Sequence, residues 1–305
     1  MNKTAIRSDA LLLLTALIWG FAFVAQRSGM EFVGPFTYNG IRFALGSLSL
    51  LPLILIMDGM KKGRKQEKAP PLTRSDRLLF ILGTLAAGSV LFLGASLQQM
   101  GIVYTTAGKA GFITGLYVVL VPLTGIFLGH KTGVPTWLGA LAAVAGLYFL
   151  SGAGQLAKVN PGDILVALSA LFWTAHVLVI DHLSKRMDAL KLAASQFAWV
   201  SVFSLVVAVL TEQTQLSSIR QALAPILYGG LGSVGIAYTL QVVAQKDAPA
   251  AHSAIILCLE GVFATIGGVL LLSEPFGLRS LLGSFLMLAG MIATQWDVII
   301  GHKPR

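Results

Sequence analysis

Long apolar stretches alternate with short polar connections along almost the whole chain. Each stretch is close to the roughly 20 residues that an α-helix needs to cross the hydrocarbon core of a bilayer. The longest polar connection, residues 58–77, is too short and too highly charged to fold as a domain of its own. The pattern therefore predicts an all-α integral membrane protein with ten transmembrane helices, at residues 10–28, 35–57, 78–99, 107–128, 135–153, 163–182, 191–211, 223–244, 250–272 and 278–298.

This apolar pattern occurs twice. Residues 9–24 (DALLLLTALIWGFAFV) reappear as residues 163–178 (DILVALSALFWTAHVL), 154 positions later. Beyond the polar connection the match continues at a shorter offset of 143, where residues 97–116 align with residues 240–259. Because each copy holds an odd number of predicted helices, five, the second copy would cross the membrane in the opposite direction. We therefore predict two inverted five-helix repeats, residues 1–157 and residues 158–305.

Composition and charge support a membrane location. Hydrophobic residues make up 55% of the chain, charged residues only 11%, and the mean hydropathy is +0.79, whereas soluble domains carry about 25% charged residues. The net charge of +9 does not indicate a nucleic-acid partner, because the lysines and arginines concentrate in alternate connections, above all in residues 58–77. An excess of positive residues marks the cytoplasmic side of a membrane protein. Both termini are therefore predicted to be cytoplasmic.

Three stretches give the chain a resemblance to a known family. They are LIWGFAFVAQR at 17–27, TTAGKAGFITGLYVVLVPL at 105–123 and HSAIILCLEGVFATIGGVLLLSEPFG at 252–277. With these stretches and ten predicted helices, the chain resembles the drug/metabolite transporter (DMT) superfamily, EamA type. It departs from that family at Gly261, where proline is usual, and at Ser273, where glycine is usual. The resemblance implies a carrier of small metabolites in a bacterial-type inner membrane, often of amino acids and often outward.

Charged residues deep in predicted helices are the first candidates for function, because a charge inside a bilayer is costly. Glu260 is the only acidic residue near the middle of a predicted helix. It is a candidate for carrying a proton or contacting substrate, and a structural ion pair with a basic residue is the alternative. Arg42 lies about two turns into the second predicted helix, and Asn39 lies one turn before it. Arg42 is a candidate anchor for a substrate carboxylate, and binding to helix carbonyl groups is its alternative role.

Other candidates occupy equivalent positions in the two copies. Lys109 and His252 lie near the starts of the fourth and ninth predicted helices, each eight residues before another polar residue, Tyr117 or Glu260. Eight residues span about 12 Å along nearly the same helix face. We predict one central cavity, lined by every predicted helix except the fifth and tenth, with helix packing or exposure at the membrane surface as the alternative roles of these residues. The remaining candidates for the cavity are Trp19, Trp173, Gln98, Gln241 and His176.

The motifs that the chain lacks narrow the function further. It contains no GxxxxGK[ST] nucleotide-binding loop and no metal motif such as HExxH or CxxC. No cofactor or metal site is predicted, and the predicted partners are a small-molecule substrate, the lipid bilayer and a coupling proton. We predict a secondary transporter that moves a small metabolite, such as an amino acid, outward across the cytoplasmic membrane by alternating access. An uncoupled facilitator or channel is the first alternative, and a membrane-embedded enzyme built on Glu260 and His252 is the second.

Overall fold

A computed structural model describes residues 3–63, 74–129, 133–150, 161–274 and 277–294. These residues form helices joined by short turns, and they contain no β-strand. One segment, Tyr228–Tyr238, is a π-helix. The α-helices are α1 (Lys3–Gly29), α2 (Pro35–Gly63), α3 (Arg74–Ile102), α4 (Ala107–Thr114), α5 (Tyr117–Phe127), α6 (Val134–Leu150), α7 (Pro161–Leu183), α8 (Ala189–Thr211), α9 (Leu216–Gln221), α10 (Leu223–Leu227), α11 (Thr239–Gln245), α12 (Ala250–Leu257), α13 (Glu260–Leu272) and α14 (Leu278–Thr294).

The apolar pattern located the helices correctly. In the described residues, eight helical segments are long and apolar enough to cross a membrane, and they coincide with eight of the ten predicted helices. Two shorter apolar helices, Val134–Gly146 within α6 and Leu281–Gly290 within α14, coincide with the fifth and tenth. The last residues of those two predictions, 151–153 and 295–298, lie outside the described residues. The described residues thus form an all-helical bundle with the helix lengths of a membrane protein.

Some helices extend well beyond the predicted boundaries. The first begins at Lys3 instead of residue 10, and the second continues to Gly63 instead of ending at residue 57. An α-helix satisfies its own backbone hydrogen bonds in lipid and in water alike. A helix therefore does not need to end where its apolar run ends, and hydropathy marks the membrane rather than the helix.

Two membrane-spanning segments are broken near their middle. The segment Ala107–Phe127 divides into α4 and α5, and the segment Ala250–Leu272 divides into α12 and α13. At each break a backbone amide donates its hydrogen bond to the carbonyl three residues earlier, instead of four residues earlier as in an α-helix. The amide of Leu116 donates to Ile113, and the amide of Leu259 donates to Ile256, both at 3.2 Å. Leu116 and Leu259 are 143 positions apart, so the breaks occur at equivalent positions of the sequence repeat.

Helices α2 and α8 pack antiparallel through two reciprocal hydrogen bonds. The hydroxyl of Ser47 donates to the carbonyl oxygen of Ala194, and the hydroxyl of Ser201 donates to the carbonyl oxygen of Gly40, both at 2.9 Å. The two serines are 154 positions apart, and so are the two acceptors. The second bond therefore repeats the first with the roles of the two helices exchanged.

Helices α6 and α14 meet in the same reciprocal way, through glycines. A Cβ atom on Gly146 would lie 2.5 Å from the carbonyl oxygen of Gly283, and one on Gly290 would lie 2.7 Å from that of Gly139. Gly139 and Gly283 are 144 positions apart, as are Gly146 and Gly290. Only glycine permits this approach, because the obstructing atoms belong to the neighbouring backbone.

The π-helix lies against α2. Its sequence, YGGLGSVGIAY, is rich in glycine, and a Cβ atom on Gly230 would lie 2.8 Å from the Cβ atom of Leu45. A π-helix bonds residue i to residue i+5, so residues five apart come close to one face, which they do not do in an α-helix. Ser233 and Tyr238 are placed in this way on the side of the helix that faces the interior of the bundle.

Candidate functional site

A cavity lies inside the bundle, and the space between its walls amounts to about 440 Å³ when the part open to solvent is included. Its lining residues come from helices of both sequence copies. Helices α6 and α14 contribute no residue to it, as predicted for the fifth and tenth helices. Helix α8, the seventh predicted helix, contributes none either, and that part of the prediction is wrong. The lining consists of Trp19, Phe23, Gln26, Arg42, Gln98, Thr114, Tyr117, Trp173, Val177, Ser233, Tyr238, Gln241, Leu257 and Glu260.

Most of the lining consists of residues at equivalent positions in the two copies. Five such pairs, at offsets of 154 or 143 positions, are Trp19 with Trp173, Phe23 with Val177, Gln98 with Gln241, Thr114 with Leu257, and Tyr117 with Glu260. The other four lining residues have counterparts that do not line the cavity. These four are Gln26, Arg42, Ser233 and Tyr238.

Glu260 and Tyr117 are the first residues after the two helix breaks. The hydroxyl of Tyr117 donates a hydrogen bond to Glu260 Oε1 at 3.1 Å. Both side chains are buried, with Glu260 only 4% exposed. In the part of the chain that the structure describes, Glu260 forms no ion pair. The structural ion pair considered from the sequence is therefore absent here, and a tyrosine hydroxyl takes the place of the basic partner.

Arg42 is the basic residue of the lining, and Asn39 holds it. The Arg42 Nε–H group donates to Asn39 Oδ1 at 2.9 Å, and Asn39 Nδ2 in turn donates to the carbonyl oxygen of Ala95 at 3.1 Å. The aromatic rings of Phe43 and Tyr38 lie 4.8 Å and 5.5 Å from the centre of the guanidinium group. Asn39 does not itself line the cavity, and its contact with the site is made through Arg42.

Three aromatic rings form one wall of the cavity. The ring of Tyr238 lies 4.5 Å from that of Trp19 and stacks at 6.1 Å on that of Trp173. The indole N–H of Trp19 donates to the carbonyl oxygen of Ser233 at 3.3 Å. The indole N–H of Trp173 is buried and has no partner among the described residues.

The glutamines of the lining differ in how far their hydrogen bonds are satisfied. Gln98 Nε2 donates to Thr114 Oγ1 at 2.9 Å. By contrast, Gln241 Oε1 and Gln26 Oε1 are buried and have no partner among the described residues. Buried polar atoms are normally hydrogen-bonded. These oxygen atoms and the indole N–H of Trp173 are therefore unsatisfied polar groups on residues that line the cavity.

Lys109 and His252 lie outside the lining, contrary to the prediction of one shared cavity. Lys109 Nζ pairs with Asp163 Oδ2, and His252 Nε2 pairs with Asp9 Oδ1, each at 2.7 Å. Asp9 and Asp163 are equivalent in the repeat, so the second pair repeats the first. Each contact joins the start of a broken segment to the start of the first helix of the other copy. The sequence could not show this, because the partners are far apart along the chain.

His176 also lies outside the lining, although it is close to it. Its Nε2 atom is 3.0 Å from Gln196 Oε1, and its ring lies 6.2 Å from that of Trp173. Gln196 is the counterpart of Arg42, 154 positions later. Gln196 contacts His176 instead of the cavity. In α2 this position of the repeat therefore contributes Arg42 to the lining, whereas in α8 it contributes no residue.

Several lining residues were not found from the sequence. Phe23 and Gln26 lie one and two turns after Trp19 on the same helix face, a signal that was available but not used. Tyr238 lies three residues, about one turn, before Gln241 and gave the same kind of signal. Ser233 could not be found in this way, because it lies within the π-helix, to which α-helical periodicity does not apply. The residues missed are Phe23, Gln26, Thr114, Val177, Ser233, Tyr238 and Leu257.

Comparison with known proteins identifies the family. The EamA-like transporter family matches the chain twice, at residues 6–152 and at residues 160–295. The chain belongs to the EamA-like transporter family. An uncharacterized transporter of Archaeoglobus fulgidus is 33% identical over 293 residues, which cover 95% of this chain and 86% of the relative. The uncharacterized transporter YoaV of Bacillus subtilis is 23% identical, over 90% of this chain and 92% of its own length.

A crystal structure with 19% sequence identity has the same fold as this EamA-like protein. It matches with a TM-score of 0.72 and covers 94% of this chain and 98% of its own. Together with the apolar helices, the family and its relatives make the protein a multi-pass membrane transporter. A small-molecule substrate and a lipid bilayer are thereby implied as partners, and the names of the relatives indicate transport rather than enzymatic catalysis.

Proposed function

We propose that the protein is a secondary transporter that moves a small metabolite, such as an amino acid, outward across the cytoplasmic membrane by alternating access. The observation that carries the proposal is the composition of the cavity wall, in which five pairs of equivalent residues come from the two sequence copies. A site lined by matching elements of two halves opens to either side when one half rocks against the other.

In this proposal the two halves, residues 1–157 and 158–305, form an inverted repeat of five helices each. The reciprocal contacts of α2 with α8 and of α6 with α14 support it. Equivalent helices that meet antiparallel are related by a two-fold axis perpendicular to their length. For helices that cross a bilayer, such an axis lies in the plane of the membrane.

We propose further that both termini are cytoplasmic and that the membrane is the inner membrane of the cell. The concentration of positive residues in alternate connections supports this orientation. It puts the Asp9–His252 pair toward the cytoplasm and the Lys109–Asp163 pair toward the opposite side. Each pair ties a broken segment of one half to the first helix of the other half. Both pairs are formed in this structure. In the proposed cycle each would hold one end of the cavity closed, and a pair would separate when the cavity opens to its side.

Glu260 is the residue that we assign to coupling in this mechanism. It is buried in the cavity wall, accepts a hydrogen bond from Tyr117 and lacks a basic partner in the described residues. A carboxyl group in such a setting can take up a proton when the cavity opens to one side and release it on the other. Contact of Glu260 with the substrate is the second role that its position permits.

The test begins with metabolites measured in cells with and without the protein, followed by uptake of the compounds that change into liposomes containing the purified transporter. Alternating access predicts saturable uptake that is accelerated by the same compound trapped inside. An uncoupled channel predicts uptake that rises linearly with concentration and shows no such acceleration. That second result would contradict the proposal.

A further inference from the structure

We infer that Arg42, held by Asn39, binds a carboxylate group of the transported molecule, and that the cargo is therefore an organic carboxylate with a planar body. The inference rests on the proposed transport function and names the class of substrate for the same cavity. It depends on the unused hydrogen-bonding groups of the lining and on the difference between the two sequence copies at position 42.

Arg42 has hydrogen-bonding capacity that the protein does not use. Its side chain is 1% exposed, and a guanidinium group has five N–H donors. Among the described residues only the Nε–H group has a hydrogen-bond partner, Asn39 Oδ1. A buried charge without a partner is strongly destabilising. Because Arg42 lines the cavity, its four other N–H groups are available to a ligand that enters it.

The equivalent position of the second copy shows that the fold does not require an arginine here. Gln196 is fully buried at that position, and its Oε1 atom lies 3.0 Å from His176 Nε2. The hydrogen bonds of Ser47 and Ser201 form equally between α2 and α8, although one helix carries arginine and the other glutamine at this position. A neutral residue thus fills the equivalent place without loss of the helix contact. The positive charge of Arg42 is therefore better explained by a ligand than by packing.

The setting of Arg42 favours a carboxylate over other charged groups. The rings of Phe43 and Tyr38 lie beside the guanidinium group, and Asn39 occupies its Nε–H. The remaining edge can give two parallel N–H bonds, the geometry that a carboxylate accepts. A phosphate group carries about two negative charges, and one arginine cannot neutralise both. Arg42 is the only basic residue among the described residues that line the cavity. A cationic cargo would be repelled by it.

The rest of the lining indicates what else the cargo carries. The rings of Trp19, Tyr238 and Trp173 offer flat apolar surfaces, which suit a planar body. The unpartnered oxygen atoms of Gln26 and Gln241 require a donor. An N–H or O–H group on the same molecule, either an ammonium or a hydroxyl, would satisfy them. Amino acids and hydroxy acids share this chemistry.

Three probes with the same benzyl body separate these possibilities: phenylalanine, 3-phenyllactate and phenethylamine. Binding is measured by the thermal shift and the tryptophan fluorescence of the full-length protein purified in detergent. We expect a carboxylate probe to bind and phenethylamine not to bind. Binding of phenylalanine alone would identify the ammonium as the donor group, and binding of 3-phenyllactate alone would identify the hydroxyl. Cyclohexylalanine, which has no planar ring, should bind less tightly than phenylalanine.

Substitutions of Arg42 then test the anchor itself. Arg42→Gln should weaken carboxylate binding about tenfold or more, and Arg42→Lys should have an intermediate effect because lysine keeps the charge but not the paired N–H groups. Arg27→Gln is the matched control, because it removes a positive charge from the last turn of α1 outside the cavity lining. This control should bind the probes like the unmodified protein.

The inference is overturned if phenethylamine binds at least as tightly as the carboxylates, or if no carboxylate probe binds at millimolar concentration. It is also overturned if correctly folded Arg42→Gln protein binds carboxylates as tightly as the unmodified protein. If the Arg42→Gln protein does not fold, the preference of the unmodified protein for carboxylate probes over phenethylamine tests the inference. Carboxylates that bind but do not cross liposome membranes would support Arg42 as a carboxylate-binding residue and would contradict the transport proposal. Transport of amines alone would support the transport proposal and contradict the carboxylate inference.

Discussion

The hydroxyl of Tyr117 donates a 3.1 Å hydrogen bond to the carboxyl group of Glu260, and the two residues occupy the same position in the two copies of the sequence repeat. Each is the first residue after a break in a membrane-spanning segment. The contact therefore joins the two broken segments at the cavity wall. One copy supplies a carboxyl group, and the other supplies the hydroxyl group that donates a hydrogen bond to it.

Replacement of Glu260 by glutamine tests its role in coupling. Glutamine keeps the size of the side chain and can still accept the hydrogen bond of Tyr117, but it cannot titrate. If Glu260 carries the coupling proton, the variant should insert normally and exchange substrate across liposome membranes. It should lose uptake driven by a pH gradient, and its exchange rate should not depend on pH. Both rates are measured on the same liposomes.

Glu31→Gln is the control for that experiment, because Glu31 lies in the exposed turn after α1. It should keep pH-driven uptake. Full pH-driven uptake by well-expressed Glu260→Gln protein would show that another group carries the proton. Loss of exchange together with pH-driven uptake would indicate direct contact between Glu260 and the substrate.

The ion pair between Lys109 and Asp163 should contribute strongly to stability. Its side chains are only 15% and 6% exposed, and loss of one partner of a buried pair costs about 3–5 kcal/mol. Lys109→Met should therefore lower the temperature of thermal unfolding markedly. The exposed pair of Lys185 with Asp181, in which the lysine side chain is 49% exposed, is the comparison, and Lys185→Met should cost about 0.5 kcal/mol. Similar losses from the two substitutions would be evidence against the prediction.

The glycine contact of α6 with α14 should not tolerate a methyl group. Gly146→Ala would put a Cβ atom 2.5 Å from the backbone oxygen of Gly283, and overpacking of this kind typically costs about 1–3 kcal/mol. The unfolding temperature should fall, and the yield of folded protein with it. Gly59→Ala is the matched control on α2, because a Cβ atom there meets no other atom within 4 Å. If the two variants were equally stable, α6 and α14 could move apart to admit the methyl group at little cost, which would contradict the prediction.

The orientation of the chain is checked with reporter fusions. One reporter is inserted in the connection at residues 58–77, and a second is fused after residue 298. Both should report a cytoplasmic location. The expectation follows from the concentration of lysine and arginine in alternate connections. A reporter placed in the turn at residues 212–215 should give the opposite signal. A periplasmic signal from either of the first two fusions would exclude the proposed inverted repeat with cytoplasmic termini.

The sequence by itself determined the helices, the family and most of the pairs that line the cavity. Apolar length and period depend only on local sequence, and a repeated sequence brings equivalent residues to equivalent places. Trp19 with Trp173, and Gln98 with Gln241, could therefore be predicted as lining pairs.

Only the tertiary structure decided which polar groups meet. Lys109 and His252 were expected in the cavity, but they bind Asp163 and Asp9 of the opposite copy. Ser233 lines the cavity from a glycine-rich segment that adopts a π-helix, whose period differs from that of the α-helix. The ion pairs of Lys109 and His252 join residues that lie more than 50 positions apart, and the pattern along the chain carries no information about which distant residues come into contact.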